Sequence, residues 1–182
     1  MGHKVGSLTL HAGVAGGADI ILIPEIPYDI KKVVEAIQRR SKAGKRFTIL
    51  AVAEGAISKE DAKLSKKELK KRLEERAKKY PSVSYEIADQ IQKIAGNEVR
   101  ITVPGHTQRG GSPCAYDRVL STRIGAGAAA AILDEEYGVM IGIVNGKIKR
   151  VPLAECAGKL KTVSPKDQTV LAAKQIGISF GD

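Results

Sequence analysis

The sequence predicts an α/β fold of three layers, α/β/α, in which helices cover a mostly parallel sheet. Short, continuous apolar segments, typical of strands buried on both faces, alternate with longer segments typical of helices. The order strand, helix, strand, helix, strand implies crossover connections, and sheets of this kind bind ligands at the carboxyl ends of their strands. A β-hairpin and a final helix are expected to follow the sheet.

The first part of the chain predicts two helices and two strands. Residues 6–17 are mostly small and end in a Gly-Gly pair, which favours a short helix. Residues 20–23 are consecutive apolar residues and predict a buried strand. Asp29 is suited to cap a second helix, which ends at Gly44. Residues 47–53 are apolar at nearly every position and predict a second buried strand.

The middle of the chain predicts two more helices and a third strand. Residues 59–79 are strongly charged, with leucines spaced as on the narrow apolar face of a solvated helix that Pro81 stops. Residues 84–94 predict a helix that ends at Gly96. Residues 99–103 predict a third strand of the sheet.

The last part of the chain predicts a long helix, a hairpin and a short helix. Residues 112–133 are Ala-rich, which permits close packing, with Ser112 suited as the N-cap and Pro113 as the first helical residue. Asn145 and Gly146 form a strong two-residue turn signal. The hairpin strands and the final helix are expected at residues 139–144, 147–151 and 165–176.

The composition excludes several classes of protein. With 43% hydrophobic and 27% charged residues among 182, the chain is not typical of a disordered, collagen-like or disulfide-rich protein. No segment approaches the roughly 20 apolar residues of a membrane span, and none is typical of a secretory signal, so a cytoplasmic location is expected. Cys114 and Cys156 lack the spacing of a metal or redox pair and are expected to be buried thiols.

The net charge of +10 raises an alternative hypothesis, that of a non-catalytic basic binding module. Residues 59–79 carry ten Lys or Arg and five Asp or Glu, so this helix could bind nucleic acid or an acidic partner. The segment contains no aromatic residue on which bases could stack, which disfavours nucleic acid. A third hypothesis is a domain that binds no small molecule.

Polar residues follow the second and third predicted strands, at the edge where ligands are expected. Glu54 precedes Gly55, a pair suited to binding a polyol hydroxyl close to the backbone, although a helix cap or surface charge would also fit. Residues 104–113 place His106 and Arg109 among three glycines, where backbone amides and a guanidinium can receive a phosphate. A Gly-rich turn with an exposed Arg is the alternative interpretation, although a turn alone does not require both Arg and His.

Several motifs in this order carry a resemblance to a known family. They are Met1-Gly2-His3, Gly16-Gly17-Ala18-Asp19, Pro24-Glu25, Ala53-Glu54-Gly55, the predicted strand with Arg100, and Gly105-His106-Thr107-Gln108-Arg109-Gly110-Gly111-Ser112-Pro113 with Asp117-Arg118. Together they resemble the C-terminal portion of bacterial-type 6-phosphofructokinases over nearly the whole chain. The resemblance implies that residues 1–182 form the sugar-phosphate-binding region of that family, with a charged helical insertion at about residues 58–81.

The resemblance implies a glycolytic kinase that passes a phosphoryl group from ATP or pyrophosphate, with Mg²⁺, to the 1-hydroxyl of fructose 6-phosphate. The residues implied to bind this substrate are Met1, Gly2, Glu54, Arg100, His106 and Arg109. The carboxylate of Glu54 would hold sugar hydroxyls, and His106 with Arg109 would grip the sugar and its 6-phosphate. Arg100 would reach the 6-phosphate of a neighbouring subunit, which implies a homo-oligomer, either a dimer or a tetramer.

The sequence also departs from the family pattern. His3 stands where that pattern has Arg, and Ala43 stands where allosteric members carry a basic residue, followed here by Lys45. His3 and Lys45 are therefore weaker candidates for ligand binding, and allosteric regulation is in doubt. The insertion at about residues 58–81 is similar to those of the pyrophosphate-related or mixed-donor members.

The donor-binding loop and the catalytic-base segment of the family have no counterpart in these residues. The resemblance therefore implies a missing N-terminal half as a partner, and it assigns no catalytic residue and no metal ligand to this chain. Positioning and electrostatic stabilisation supply most of phosphoryl-transfer catalysis, so the chain alone is expected to be inactive and to bind no cofactor.

Overall fold

The computed structural model describes all 182 residues, which divide into two units. The first unit comprises Met1–Val103 with Lys161–Asp182, and the second comprises Pro104–Leu160. The first unit contains α1 (Ser7–Ala15), β1 (Ile20–Leu22), α2 (Ile30–Lys42), β2 (Leu50–Val52), α3 (Lys66–Lys79), α4 (Val83–Ala95) and, near the C-terminal end, α7 (Gln168–Gln175). The second contains α5 (Ala115–Leu133), β3 (Val139–Val144), β4 (Lys147–Pro152) and the short α6 (Leu153–Cys156).

Strands β1 and β2 pair in parallel, with Ile20 opposite Leu50 and Leu22 opposite Val52. A parallel bridge joins Ile20 to Ser179, so β1 has neighbours on both edges. The crossover from β1 to β2 runs through α2, which Asp29 caps by accepting a hydrogen bond from the Lys31 amide at 2.8 Å. The prediction of an α/β fold with a parallel sheet is confirmed, as is the cap at Asp29.

Successive residues of β1 enter two separate apolar clusters. Ile21 belongs to a cluster with Leu10 of α1 and Val170 of α7. Ile20 belongs to a second cluster with residues of α2 and α4, including Val33. Since neighbouring side chains on a strand point to opposite faces, the helices cover both faces of the sheet. The first unit therefore has the three layers that the sequence predicts.

The prediction of a third strand at residues 99–103 is wrong. Residues 97–103 form no ladder with β2. Residues 97–102 and β2 instead line the same open groove of about 610 Å³, so the backbone pairing that defines a strand is not made. The second strand is also shorter than predicted, because only Leu50–Val52 pairs with β1 while Phe47 and Ile49 are exposed.

The charged helix α3 begins later than predicted, at Lys66. Ser65 and Glu68 form a capping box there, in which the Glu68 carboxylate accepts a hydrogen bond from the Ser65 amide at 2.9 Å. The preceding residues include only a short 3₁₀ turn, Asp61–Lys63. As predicted, the helix ends before Pro81.

A cluster of charged residues attaches α3 to the rest of the unit. Glu86 of α4 is 5% exposed and pairs with Arg72, and Arg76 Nη1 lies 3.9 Å from Glu86 Oε2. Arg72 Nε also lies 3.4 Å from Asp61 Oδ1. Burial raises the pKa of the adjacent Tyr28 above its usual range, and the negative charge of Glu86 raises it further. The two arginines therefore compensate a buried carboxylate.

The second unit is a helix packed on a hairpin. Strands β3 and β4 pair antiparallel from Val144 opposite Lys147, with Asn145 and Gly146 at φ +50° and +74°. These positive angles are those of a type I′ turn, so the predicted hairpin and its turn are confirmed. Arg150 of β4 donates to Asp134 and Glu136, which follow α5, at 2.7 Å each.

Two expectations for the second unit are wrong. Helix α5 is capped at Cys114 and not at Ser112, because the Asp117 carboxylate accepts a hydrogen bond from the Cys114 amide at 3.1 Å. The two cysteines are not buried thiols: Cys114 is exposed and Cys156 is half-buried. Both lie in a unit where few side chains are buried, since Ala131 is its one buried apolar residue.

Replacing Arg72 by alanine should lower the free energy of unfolding by about 2–3 kcal/mol, because the buried Glu86 carboxylate would keep only the longer contact with Arg76, at 3.9 Å. Urea denaturation followed by circular dichroism would measure this change. Lys71→Ala, an exposed position on the same helix, is the matched control and should change stability by no more than about 0.5 kcal/mol. Equal effects of the two substitutions would show that the ion pair does not stabilise the fold.

Candidate functional site

The carboxyl end of β2 is held against the first three residues of the chain. The Glu54 amide donates a hydrogen bond to the Met1 carbonyl at 3.0 Å, and the Gly55 amide donates to the Gly2 carbonyl at 2.9 Å. Gly2 has φ +86°. These main-chain contacts bring Met1, Gly2, His3 and Glu54 together at the strand end, where ligands bind in parallel sheets.

The Glu54 carboxylate is the charged acceptor at this strand end. Its Oε2 atom lies 3.3 Å from the Met1 nitrogen and 3.3 Å from His3 Nε2. The Glu54 side chain is 46% exposed, so its carboxylate contacts Met1 and His3 and is also accessible from solvent. Because both contacts use Oε2, Oε1 is available to accept hydrogen bonds from a ligand hydroxyl.

Gly55 is required by the close approach of the two segments. A Cβ atom built at Gly55 would lie 2.1 Å from the His3 carbonyl oxygen and 2.6 Å from its carbonyl carbon. Both atoms belong to the backbone, so no side-chain rotation could relieve the clash. The absence of a side chain at this position therefore lets residues 1–3 lie against Glu54.

Glu25 fixes the segment that follows residues 1–3. Both carboxylate oxygens lie 3.0 Å from the amide of Gly6, the residue before α1, and Oε1 also accepts from the Val163 amide at 3.0 Å. A carboxylate at the beginning of a helix is stabilised by the unpaired amides and the helix dipole. Glu25 thereby holds α1 in place behind the strand end.

Lys45 and Arg100 lie at a different place in the first unit. Both line the groove of about 610 Å³, together with side chains of α2, β2 and α4. Arg100 is not in a strand, contrary to prediction; its side chain is 89% exposed, with Nε 3.1 Å from Glu98 Oε1. Glu54 and residues 1–3 do not line this groove.

His106 and Arg109 lie in the second unit, on an exposed 3₁₀ turn, Gly105–Arg109. The turn is closed by backbone bonds from Thr107 to Pro104 and from Gly110 to Thr107, each at 3.2 Å. The two side chains lie three residues apart on this short helix, so they project from nearly the same side. The turn thus presents an imidazole and a guanidinium together to solvent.

Sequence reasoning missed the roles of two carboxylates. From the sequence, Glu25 has a place in a motif but no role, although a carboxylate two residues after the predicted strand 20–23 was a signal for contact with a neighbouring helix. Glu86 was missed because a glutamate on a helix is usually exposed. Its place beside Ile87 on the buried face of α4, with arginines four residues apart on α3, was the available signal.

The parallel strands covered by helices on both faces, with a carboxylate at a strand end, place the chain in the α/β class of proteins. The family model described as phosphofructokinase matches residues 1–132, and the chain belongs to this family. The resemblance that the sequence motifs carry is confirmed.

Curated relatives match the whole chain but are longer. A protein of Spirochaeta thermophila named ATP-dependent 6-phosphofructokinase is 48% identical over 182 residues, which cover 100% of this chain and 49% of that protein. A protein of Chloroflexus aurantiacus with the same name is 43% identical, with the same coverage of 100% and 49%. The chain spans about half the length of the curated relatives it matches.

Solved structures agree with the fold. A Pichia pastoris phosphofructokinase in the T-state is 36% identical, with a TM-score of 0.65 over 85% of this chain and 15% of that chain. A pyrophosphate-dependent phosphofructokinase from Marinobacter aquaeolei has a TM-score of 0.70 over 98% of this chain and 46% of that chain. At 19% identity, the second likeness concerns the fold alone.

The structure contains no group of three or more His, Cys, Asp or Glu side chains that could hold a metal ion. None of its helices has the length and apolar character needed to cross a membrane.

Replacing Gly55 by alanine should displace residues 1–3 from the strand end and lower the free energy of unfolding by about 1–3 kcal/mol, because the new methyl group meets backbone atoms. Urea denaturation would measure the free energy of unfolding. Hydrogen exchange would measure the protection of the Glu54 and Gly55 amides, which should exchange faster with solvent in the variant. Gly125→Ala in α5 is the control: its Cβ would meet nothing within 4 Å, so this change should stabilise the helix by up to about 1 kcal/mol. Retained protection in Gly55→Ala would contradict the required close approach.

Proposed function

We propose that this chain supplies the fructose 6-phosphate-binding part of a 6-phosphofructokinase. That enzyme acts in glycolysis and transfers a phosphoryl group to the 1-hydroxyl of fructose 6-phosphate. The observation that carries the proposal is the partly exposed Glu54 carboxylate, held by residues 1–3 at a strand end, in a chain of the phosphofructokinase family. A polyol needs acceptors of this kind at fixed positions.

In this proposal, Met1, Gly2 and Glu54 bind the sugar. Glu54 accepts hydrogen bonds from sugar hydroxyls, and Met1 and Gly2 contact the sugar while their carbonyls hold the strand end. Charged acceptors make stronger hydrogen bonds than neutral ones, so Glu54 contributes both affinity and orientation. His3, whose side chain is 77% exposed beside Glu54, is a weaker candidate for the same contact.

Basic side chains receive the phosphate group. Arg109 and His106 bind the sugar and its 6-phosphate, since a guanidinium can bind a phosphate with two parallel hydrogen bonds and an imidazole adds a donor. Arg100 binds the 6-phosphate in a neighbouring subunit; its side chain is 89% exposed, and the phosphate would compete with Glu98 for its guanidinium. Lys45 is a weaker candidate for an anion.

The chemical step needs groups that we do not assign to this chain. We infer that ATP is the donor in the complete kinase, because the relatives at 48% and 43% identity are named ATP-dependent. Mg²⁺ would accompany the donor phosphates in the complete kinase. The role of this chain's residues is to bind and orient the acceptor.

The proposal includes partners and a location. The chain would work with a donor-binding half, in a cytoplasmic homo-oligomer, a dimer or tetramer, in which Arg100 completes a neighbouring site. Residues 58–81 would be an insertion attached to this region through the pairing of Arg72 with Glu86. Two arginines of this segment, Arg72 and Arg76, pair with the buried Glu86. This pairing favours the hypothesis of a kinase over that of a basic module that binds nucleic acid or an acidic partner.

A calorimetric titration of the chain with fructose 6-phosphate tests the proposal. Fructose and inorganic phosphate serve as controls, and two salt concentrations separate specific binding from general attraction to a basic protein. We expect the intact sugar phosphate to bind more tightly than either control at both salt concentrations. Equal responses to fructose 6-phosphate and inorganic phosphate would contradict a sugar-phosphate site.

Arg109→Ala should reduce the affinity for fructose 6-phosphate below detection while the fold is kept, because the bidentate phosphate contact is removed. The same titration would measure this, and thermal melting would check folding. Arg39→Ala, an exposed position on α2, is the matched control and should bind as the unaltered chain does. Unchanged affinity in Arg109→Ala would remove Arg109 from the site.

Glu54→Gln should weaken the binding of fructose 6-phosphate by roughly tenfold, because a neutral amide replaces a charged acceptor of hydrogen bonds. Binding of inorganic phosphate, which lacks the sugar hydroxyls, should be unaffected. Glu35→Gln on α2, which removes an exposed carboxylate paired with Lys32, is the control and should leave both affinities unchanged. A loss of affinity for inorganic phosphate in Glu54→Gln would contradict a role for Glu54 in binding the sugar.

A further inference from the structure

Glu25 joins two segments that are distant in the sequence. Both of its carboxylate oxygens lie 3.0 Å from the Gly6 amide nitrogen, and Oε1 also accepts a hydrogen bond from the Val163 amide at 3.0 Å. These amides are 19 and 138 positions away from Glu25. The contacts are with main-chain groups, which a carboxylate binds more strongly than a neutral acceptor would.

The segment that Glu25 holds is tightly packed. A Cβ atom at Gly6 would lie 2.3 Å from the Ile23 Cβ and 2.8 Å from Glu25 Oε2. Ile23 is fully buried, and Val163 is 8% exposed in the same apolar cluster. Without the carboxylate, the two amides would lose their common acceptor, and packing alone would have to hold the two segments together.

The position of Gly6 determines where the first residues of the chain can lie. Only residues 3–5 separate Gly6 from Gly2. A Cβ atom at Gly2 would lie 3.1 Å from the Ala53 Cβ and 3.4 Å from the Val5 carbonyl oxygen, so this segment packs against the end of β2. A shift of Gly6 is therefore passed along a short, packed segment to Gly2.

The carboxylate that we assign to the sugar projects from main chain that this segment holds. The Glu54 amide donates a hydrogen bond to the Met1 carbonyl at 3.0 Å, and the Gly55 amide donates to the Gly2 carbonyl at 2.9 Å. Displacing the segment would release this strand end. The Glu54 side chain would then no longer be held at one position.

We propose that Glu25 is a positioning residue of the sugar site. Through Gly6 it holds the segment that places Glu54, so the affinity for fructose 6-phosphate depends on a carboxylate that does not touch the ligand. The inference rests on the proposed function, because it requires Glu54 to bind the sugar. A site binds more tightly when its groups are already held in the bound arrangement, since less freedom is lost when the ligand arrives.

A purely structural role for Glu25 predicts a different result. It would lower the free energy of unfolding, but molecules that remain folded would bind the sugar phosphate as before. A positioning role lowers the affinity of the folded molecules, and it does so only while the Glu54 carboxylate is present. A double-mutant cycle with Glu54 therefore separates the two roles.

The unaltered chain, Glu25→Ala, Glu54→Gln and the double variant would be titrated with fructose 6-phosphate, at a temperature at which melting curves show each chain to be folded. We expect Glu25→Ala to weaken binding by about three- to tenfold. In the Glu54→Gln background the same change should weaken binding by less than about twofold, because the acceptor that Glu25 places is already replaced. Binding of inorganic phosphate should be equal in all four chains.

Two further measurements locate the effect. Glu25→Gln keeps one acceptor oxygen but loses the charge, so its affinity should lie between those of the unaltered chain and Glu25→Ala. In Glu25→Ala, the Glu54 and Gly55 amides should exchange faster with solvent. The Ala53 amide donates to the Leu22 carbonyl at 2.9 Å inside the sheet and should keep its protection.

Asp29→Ala is the matched control. The Asp29 carboxylate also accepts a hydrogen bond from a helix amide, that of Lys31 at 2.8 Å, but it caps α2 and not the helix beside the candidate site. Loss of this cap should lower the melting temperature, because the amide loses its acceptor. The affinity for fructose 6-phosphate should be unaltered.

The inference is overturned, while the proposed function stands, if Glu25→Ala binds fructose 6-phosphate as the unaltered chain does. It is also overturned if the loss is the same with and without the Glu54 carboxylate, or if Asp29→Ala loses as much affinity. If Glu25→Ala does not fold, Glu25→Gln decides, and an unchanged affinity there overturns the inference. If no chain binds fructose 6-phosphate, the proposed function fails and the inference fails with it.

Discussion

The burial of β1 on both faces is the constraint on which the first unit depends. An apolar strand of this kind gains about 1.5–3 kcal/mol for each large side chain that is removed from water, but only if helices cover both sides. Ile21 and Ile23 enter one apolar cluster, and Ile20 and Leu22 enter the other. The helices α1 and α7 lie on one face and α2 and α4 on the other. The parallel register of β2 beside β1 then determines where β2 ends and where Glu54 emerges.

The candidate site is a consequence of this arrangement and of one backbone contact. Residues 1–3 reach the strand end just before α1, whose beginning is held by Glu25, and they bond to the main chain of Glu54 and Gly55. A carboxylate placed by main-chain contacts needs little reordering when a ligand arrives, which preserves affinity. The close packing that excludes a side chain at Gly55 is therefore also what places the exposed carboxylate of Glu54.

The basic character of the chain has a structural component. Arg72 and Arg76 lie in the most basic segment, yet they compensate Glu86, a carboxylate that α4 buries beside Tyr28. A buried carboxylate without cations would be costly, so these arginines are needed by the fold whatever else the helix contacts. The net charge of α3 therefore reflects a requirement of the fold as well as an exposed surface.

The sequence by itself determined the elements that depend on neighbouring residues: the apolar run of β1, the cap at Asp29, the turn at Asn145, and the motifs that identify the family. Only the tertiary structure decided the contacts between distant residues, such as Glu25 with the Val163 amide, 138 positions apart. It also decided that residues 97–103 stay outside the sheet. A segment with a strand-like sequence forms a strand only where its backbone can pair with the edge of a neighbouring strand. The sequence of a short segment indicates which helix or strand that segment favours. Whether it pairs with a distant segment depends on the packing of the whole unit, which the short segment does not contain.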